Sequence, residues 1–182
     1  MQRDIDEIVL TSDQIHERVA ELGLALRDDY AGKSPLFVGI LRGAIMFLAD
    51  LIRESGLAAE VDFMAVASYG SSTRSSGVVR ILKDLDEDIK DRDVVIIEDI
   101  LDTGLTLNYL LRNLKTRQPA SIEVCALLIK KGKQKVPVEP KYRGFEIEDR
   151  FVVGYGLDYN ERYRNLPFIG TLKEGIFDEE YD

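Results

Sequence analysis

Apolar residues along the chain fall into two rhythms, one of helices and one of buried strands. Thr11-Ser12-Asp13-Gln14 places glutamine three residues after threonine, the pattern of a capping box. Ile15, Val19, Leu22, Leu26 and Tyr30 then carry one apolar face toward Gly32. This predicts a first helix that packs on a sheet. Leu36 to Ile40 is a short apolar strand, and Leu41-Arg42-Gly43-Ala44 turns into a second helix bearing Ile45, Phe47, Leu48, Leu51 and Ile52. Val61 to Tyr69 and Val78 to Leu82 have strand character. Val94-Val95-Ile96-Ile97 is a β-branched run, followed by Leu107, Leu110, Leu111 and Leu114 at helical spacing. Ile122 to Ile129 reads as a further strand. A loop punctuated by Pro137, Pro140 and Gly144 precedes two further apolar segments, Phe145 to Ile147 and Phe151 to Val153. Strands apolar on both faces alternating with helices predict an α/β fold, an open, mostly parallel twisted sheet flanked by helices. With 182 residues the chain suits one domain over 1–182.

Composition narrows the function. The chain is 45% hydrophobic and 31% charged, with a net charge of −9, and no cluster of lysine and arginine is long enough to follow a nucleic-acid backbone. An anionic ligand must therefore be held by a few local cations, backbone amides and metal ions. The single cysteine, Cys125, lies in an apolar stretch and reads as buried packing. There is no charged-then-apolar N-terminal signal and no run long enough to span a bilayer, so no membrane role and a reducing, cytoplasmic setting are expected. His16, the one histidine, sits near the start of the first helix and reads as exposed, which leaves a carboxylate as the base in any acid–base chemistry. The acidic stretch Asp84 to Asp93 lacks a coordinating-loop pattern and reads as a solvated turn. Neither a G-x-G-x-x-G after a strand nor a G-x-x-x-x-G-K-[ST] is present, which argues against a dinucleotide enzyme or a phosphate-loop kinase.

The candidate chemistry lies at Glu98-Asp99-Ile100-Leu101-Asp102-Thr103-Gly104-Leu105-Thr106. Ligands of open α/β sheets sit beyond the carboxyl ends of the strands, so Glu98, Asp99 and Asp102 fall in a binding crevice. Just downstream, the amides of Thr103 to Thr106 lie at a helix start, where unpaired N–H groups and the dipole favour a phosphate. Acids beside a phosphate cradle suit a sugar phosphate, its hydroxyls meeting the carboxylates directly or through Mg²⁺. Capping alone accounts for Asp102 or Thr103, not for Glu98 and Asp99 ending an apolar strand. Arg42 and Gly43 leave alternatives open, either a plain strand-to-helix loop or a second anion site, while Lys130-Lys131 at a strand end reads as a wet turn. The small, polar segment Ser68 to Gly77 reads as a hairpin connection.

The Glu98 to Thr106 stretch resembles the phosphoribosyl diphosphate binding motif of the type I phosphoribosyltransferases, and further motifs occur in family order, resembling its purine-salvage branch. The resemblance implies the fold above with a small hood from the chain ends, and transfer of phosphoribosyl to a 6-oxopurine, hypoxanthine or guanine. It assigns ribose and phosphate to Glu98, Asp99, Thr103, Gly104, Leu105 and Thr106, and proton acceptance at the purine imidazole to Asp102. Diphosphate falls to Arg42, Gly43 and Arg164, with the Leu41-Arg42 peptide cis. The purine falls to Lys130, at its 6-oxygen, to Phe151, which stacks on the ring, and to Val152 and Asp158 at its edge. Ser68 and Tyr69 open a lid over the reacting centre. Mg²⁺ is expected on Glu98, Asp99 and Asp158, and the assembly is expected to be a homodimer or homotetramer. The rival readings are a regulatory protein of the same fold that binds nucleic acid, and a related transferase preferring xanthine.

Overall fold

A computed structural model describes residues 1–69 and 78–176. Its centre is a six-stranded sheet in the order β4-β3-β2-β5-β6-β7. These strands span Leu36–Leu41 (β2), Glu60–Tyr69 (β3), Val78–Lys83 (β4), Asp93–Leu101 (β5), Ser121–Lys130 (β6) and Tyr142–Ile147 (β7). All neighbours run parallel except β3 and β4. Alternate residues of β5 explain why its run is apolar throughout. Val95 and Ile97 join a core with helices α1 (Ser12–Asp29) and α2 (Ile45–Ser55), whereas Val94 and Ile96 join a second core with α3 (Leu105–Lys115). All four are fully buried. A strand clothed on both faces has no polar side to mark.

Helix α1 starts at Thr11 with both halves of the capping box. Thr11 Oγ1 accepts from the Gln14 amide at 3.2 Å, and Gln14 Oε1 accepts from the Thr11 amide at 2.9 Å. Rather than lying on the sheet's middle, α1 packs against α2 and β7. Gly23 brings the two helices together, since a Cβ there would come within 2.7 Å of the Glu54 backbone. His16 is exposed and Cys125 buried, and burial pushes the Cys125 thiol up.

One expected boundary moves. Gly144 lies inside β7 rather than in a loop, because only a hydrogen side chain clears the Leu127 carbonyl, which a Cβ would approach to 2.1 Å. Phe151 to Val153 is not a strand, since Val153 makes one isolated bridge, to Gly170. The sequence pattern also leaves β1 (Ile5–Leu10) and β8 (Ile169–Leu172) unmarked. They pair antiparallel as a separate ribbon. With Val153, Tyr163 and Leu166 they form a small core of their own, the hood drawn from the two chain ends. The Tyr155 hydroxyl donates to Asp50 Oδ2 at 2.7 Å, tying the hood to α2.

Candidate active site

Strand order reverses between β2 and β5. The chain steps outward from β2 to β3, then returns to the other side of β2 for β5, which opens a crevice at the carboxyl ends of this pair. Gly39 is opposite Ile97, so the loops that follow the two strands stand side by side. Between them is a cleft of about 300 Å³ lined by Arg42, Gly43, Glu98, Asp99, Asp102, Thr103, Gly104, Thr106, Asp158 and Arg164, among others.

Glu98 and Asp99 line this cleft from the tip of β5. Burial, and then the neighbouring Asp99 charge, hold the Glu98 carboxyl well above its ordinary value. Burial likewise pushes Asp99 up to about 6, against its hydrogen bond from the Ile100 amide (2.8 Å) and the Arg164 charge. Among the described residues Glu98 Oε2 is buried with no hydrogen-bond partner, as is Asp102 Oδ1. Buried oxygens of this kind are costly unless something pairs with them.

Helix α3 begins at Gly104, whose φ of +77° is reached without strain only by glycine, and no side chain caps it. Thr103 Oγ1 accepts from the Leu105 amide in one long contact, 3.4 Å, and Thr103, Gly104 and Thr106 at this helix start line the cleft, where first-turn amides lack intrahelical partners.

Across the cleft, the Leu41-Arg42 peptide is cis. Gly43 leaves room for the opposing acid, because a Cβ there would sit 1.5 Å from Asp99 Oδ2. The Gly43 carbonyl in turn backs onto Gly156, where a Cβ would come within 2.0 Å of it. Gly156 anchors Arg164 through two contacts. Its carbonyl accepts from Arg164 Nη1 at 2.8 Å, and its amide donates to the Arg164 carbonyl at 2.9 Å. Arg164 Nη2 pairs with Asp158 Oδ1 at 3.0 Å and with Glu161 Oε2 at 3.2 Å, and Arg42 Nη1 reaches the same Glu161 oxygen at 2.5 Å.

Lys130 ends β6 with its ammonium 3.2 Å from Asp149 Oδ1 and 3.9 Å from Asp102 Oδ2. Lys133 shares Asp149. Lys130, Phe151 and Val152 do not line the cleft itself, and Lys130 meets it through Asp102. Phe151 is 47% exposed and meets Tyr159 edge to face, with centroids 5.9 Å apart, while Val152 is buried. Ser68 and Tyr69 close β3 opposite Val79 and Val78, and the lid that they were expected to open lies outside the described residues.

Residues 9–160 match the family model for the phosphoribosyl transferase domain. The chain belongs to the phosphoribosyltransferase family. It is 52% identical to the hypoxanthine-guanine phosphoribosyltransferase of Mycobacterium avium over 97% of its length and 90% of that protein. To the Bacillus subtilis (strain 168) protein of the same name it is 48% identical, over 98% of the chain and 99% of the relative. A crystal structure of a Staphylococcus aureus hypoxanthine phosphoribosyltransferase superposes with a TM-score of 0.94 at 47% identity, covering 98% of this chain and 97% of that one.

For a phosphoribosyltransferase the balance of charge in the cleft is telling. Glu98, Asp99, Asp102 and Asp158 line the same cleft as Arg42 and Arg164, a surplus of acid over base. Among the described residues no three His, Cys, Asp or Glu side chains gather closely enough to hold a metal ion. Glu98, Asp99 and Asp158 all line the cleft. The chemistry of these donors nonetheless fits Mg²⁺, which keeps several waters and binds through one or two carboxylates plus substrate oxygens. Sequence reasoning assigned no role to Glu161, Gly156 or Asp149. Glu161 is an exposed acid in a turn that carries positive φ at Asn160, Glu161 and Tyr163 with no glycine among them, so no local signal marked it.

Proposed function

We propose that this phosphoribosyltransferase transfers 5-phosphoribosyl from phosphoribosyl diphosphate to N9 of hypoxanthine or guanine, giving the nucleoside monophosphate and diphosphate. One observation carries the reading: a half-buried acid pair near the end of β5, the uncapped helix start a few residues on, and two arginines all line one cleft. As the bond from ribose C1 to the diphosphate oxygen breaks, positive charge grows on the ribose and negative charge on the leaving group. Glu98 and Asp99 accept hydrogen bonds from the ribose hydroxyls, and the Thr103 to Thr106 amides and hydroxyls hold the 5-phosphate, so binding distant from C1 aligns the reacting atoms. Arg42, Gly43 and Arg164 receive the departing diphosphate. Mg²⁺, when bound with the help of Glu98, Asp99 and Asp158, supplies further neutralisation of that charge.

Asp102 takes the proton of the purine imidazole. Its carboxylate has one buried oxygen without a partner and another facing Lys130. Lys130, a pure hydrogen-bond donor steadied by Asp149, matches a 6-carbonyl and leaves a 6-amino group badly paired. Phe151 stacks on the base and the Val152 backbone meets its edge, with Ser68 and Tyr69 beginning a lid that keeps water from the ribosyl centre. The same reading includes a homodimer or homotetramer, which sedimentation tests, and a cytoplasmic setting. Among the described residues no helix is long and apolar enough to cross a membrane.

Steady-state kinetics with hypoxanthine, guanine, xanthine and adenine, at saturating donor and Mg²⁺, tests the assignment. Hypoxanthine and guanine are expected to turn over, with adenine about 10³-fold or more lower in kcat/KM. Preferred use of xanthine or adenine overturns the acceptor, and no turnover with any base overturns the activity. Asp102→Asn is expected to lose about 10²-fold or more in kcat while donor affinity barely moves. Equal losses in both remove Asp102 from proton transfer.

A further inference from the structure

We propose that Glu161 is a positioning residue of the diphosphate subsite: an internal carboxylate that occupies the Arg42 and Arg164 guanidiniums in the free enzyme and gives them up when diphosphate binds. This rests on the phosphoribosyltransferase reading above. A single oxygen, Glu161 Oε2, accepts from both arginines, at 2.5 and 3.2 Å. Two guanidiniums converging on one oxygen is also the way such groups hold a phosphoryl oxygen. The carboxylate thus stands in for the ligand.

The backbone holds Glu161 in this place. Its φ is +60°, between Asn160 at +49° and Tyr163 at +76°, and its amide donates to Asp158 Oδ2 at 3.0 Å. Tyr159 and Arg162 exchange backbone hydrogen bonds of 3.2 and 3.0 Å, closing the turn that presents it. The two arginines differ in freedom. Arg164 keeps Gly156 and Asp158 as partners when Glu161 lets go. Arg42 is 69% exposed and its Glu161 partner 62%, so this pair is a weak, water-screened one that a polyanion can displace.

Two effects of Glu161 oppose each other. It restrains Arg42, which leaves less ordering for the ligand to impose, and it sets a full negative charge beside any anion that the same guanidiniums hold. The ordering counts once, whereas the repulsion acts against every charge of a diphosphate, so competition wins. Glu161 accordingly weakens diphosphate binding and speeds its departure.

Calorimetric titration of the full chain with inorganic diphosphate and Mg²⁺ tests this, comparing wild type with Glu161→Gln, Glu161→Asn and Glu161→Asp. Asparagine tolerates the left-handed backbone and serves should glutamine unsettle the turn. Both amide variants are expected to bind diphosphate about threefold to tenfold more tightly at low salt, with the gap closing at high salt. The aspartate variant is expected to stay close to wild type. In turnover, the amide variants are expected to lower the donor KM and kcat together as product release slows, a pattern that mere loss of structure does not give. Wild type that binds while both amide variants bind no more tightly overturns this inference alone. Wild type that binds no diphosphate overturns the phosphoribosyltransferase reading and this inference with it.

Discussion

Helices α1 and α3 begin in opposite ways. At α1 the threonine and glutamine of the capping box satisfy each other's amides, and the helix start is chemically closed. At α3 a glycine in the left-handed region starts the helix with no side-chain cap, and α2 likewise starts uncapped at Ala44. The closed start lies away from the cleft, while both open starts follow the strands that flank it. A capped helix gains about 1 kcal/mol from its own side chains, whereas the open ones leave that gain to whatever anion arrives. Glu98 Oε2 and Asp102 Oδ1, buried without a hydrogen-bond partner among the described residues, repeat the pattern.

The sharpest break of this contrast is Asp99→Asn. Burial lifts this carboxyl from 3.8 to about 6, so the folded protein holds a proton that the unfolded chain releases between those values. The associated stability is fully present below about 3.8 and is lost as pH rises through about 6. The substitution is expected to weaken donor binding about 100-fold through lost charge-assisted hydrogen bonds, measured by titration. It is also expected to stabilise the ligand-free protein by about 1–2 kcal/mol at pH 8 and by nothing near pH 4. Thermal melts at the two pH values check the second part, and an equal gain at both refutes the linkage.

A crossed pair of threonines sharpens the comparison. Thr106→Val keeps the side chain's shape and removes a hydroxyl from the open start. It is expected to raise donor KM about tenfold with the melting temperature unchanged. Thr11→Ala removes the cap from the closed start. It is expected to cost about 1 kcal/mol of stability in denaturant titration and to leave donor KM and kcat as they were. If Thr11→Ala impaired donor binding, or Thr106→Val acted through stability alone, the division between the two helix starts would fail.

The same contrast explains what could be read from the chain. Val94 to Ile97 followed by Glu98 and Asp99 is legible because a buried strand ending in acids conflicts with burial, and such a conflict points to a ligand. The capping box is legible because its residues lie three apart. By contrast, Arg42 and Arg164 become partners only through Glu161, and Lys130 finds Asp149 and Asp102 only once β5, β6 and the segment after β7 are in place. Residue spacing along a chain carries no trace of such meetings, which is why Arg164 was marked by family likeness alone and Glu161 and Asp149 were not marked at all. The hood strands were hidden for another reason. Asp6, Glu7 and Ile8 of β1 are all exposed, so a two-stranded ribbon with most of one strand in water shows no clean alternation.

The Gly39–Ile97 register has a lasting consequence. Because β2 and β5 are hydrogen-bonded neighbours, the loops that the proposed function assigns to the two ends of the donor are held apart by a main-chain ladder of about 4.8 Å spacing, which side-chain replacement leaves in place. Lys130, Phe151 and Val152 stand outside that ruler, on β6 and the approach to the hood. On the proposed function, a change of preferred base can therefore accumulate there while the spacing of the two donor loops stays as it was.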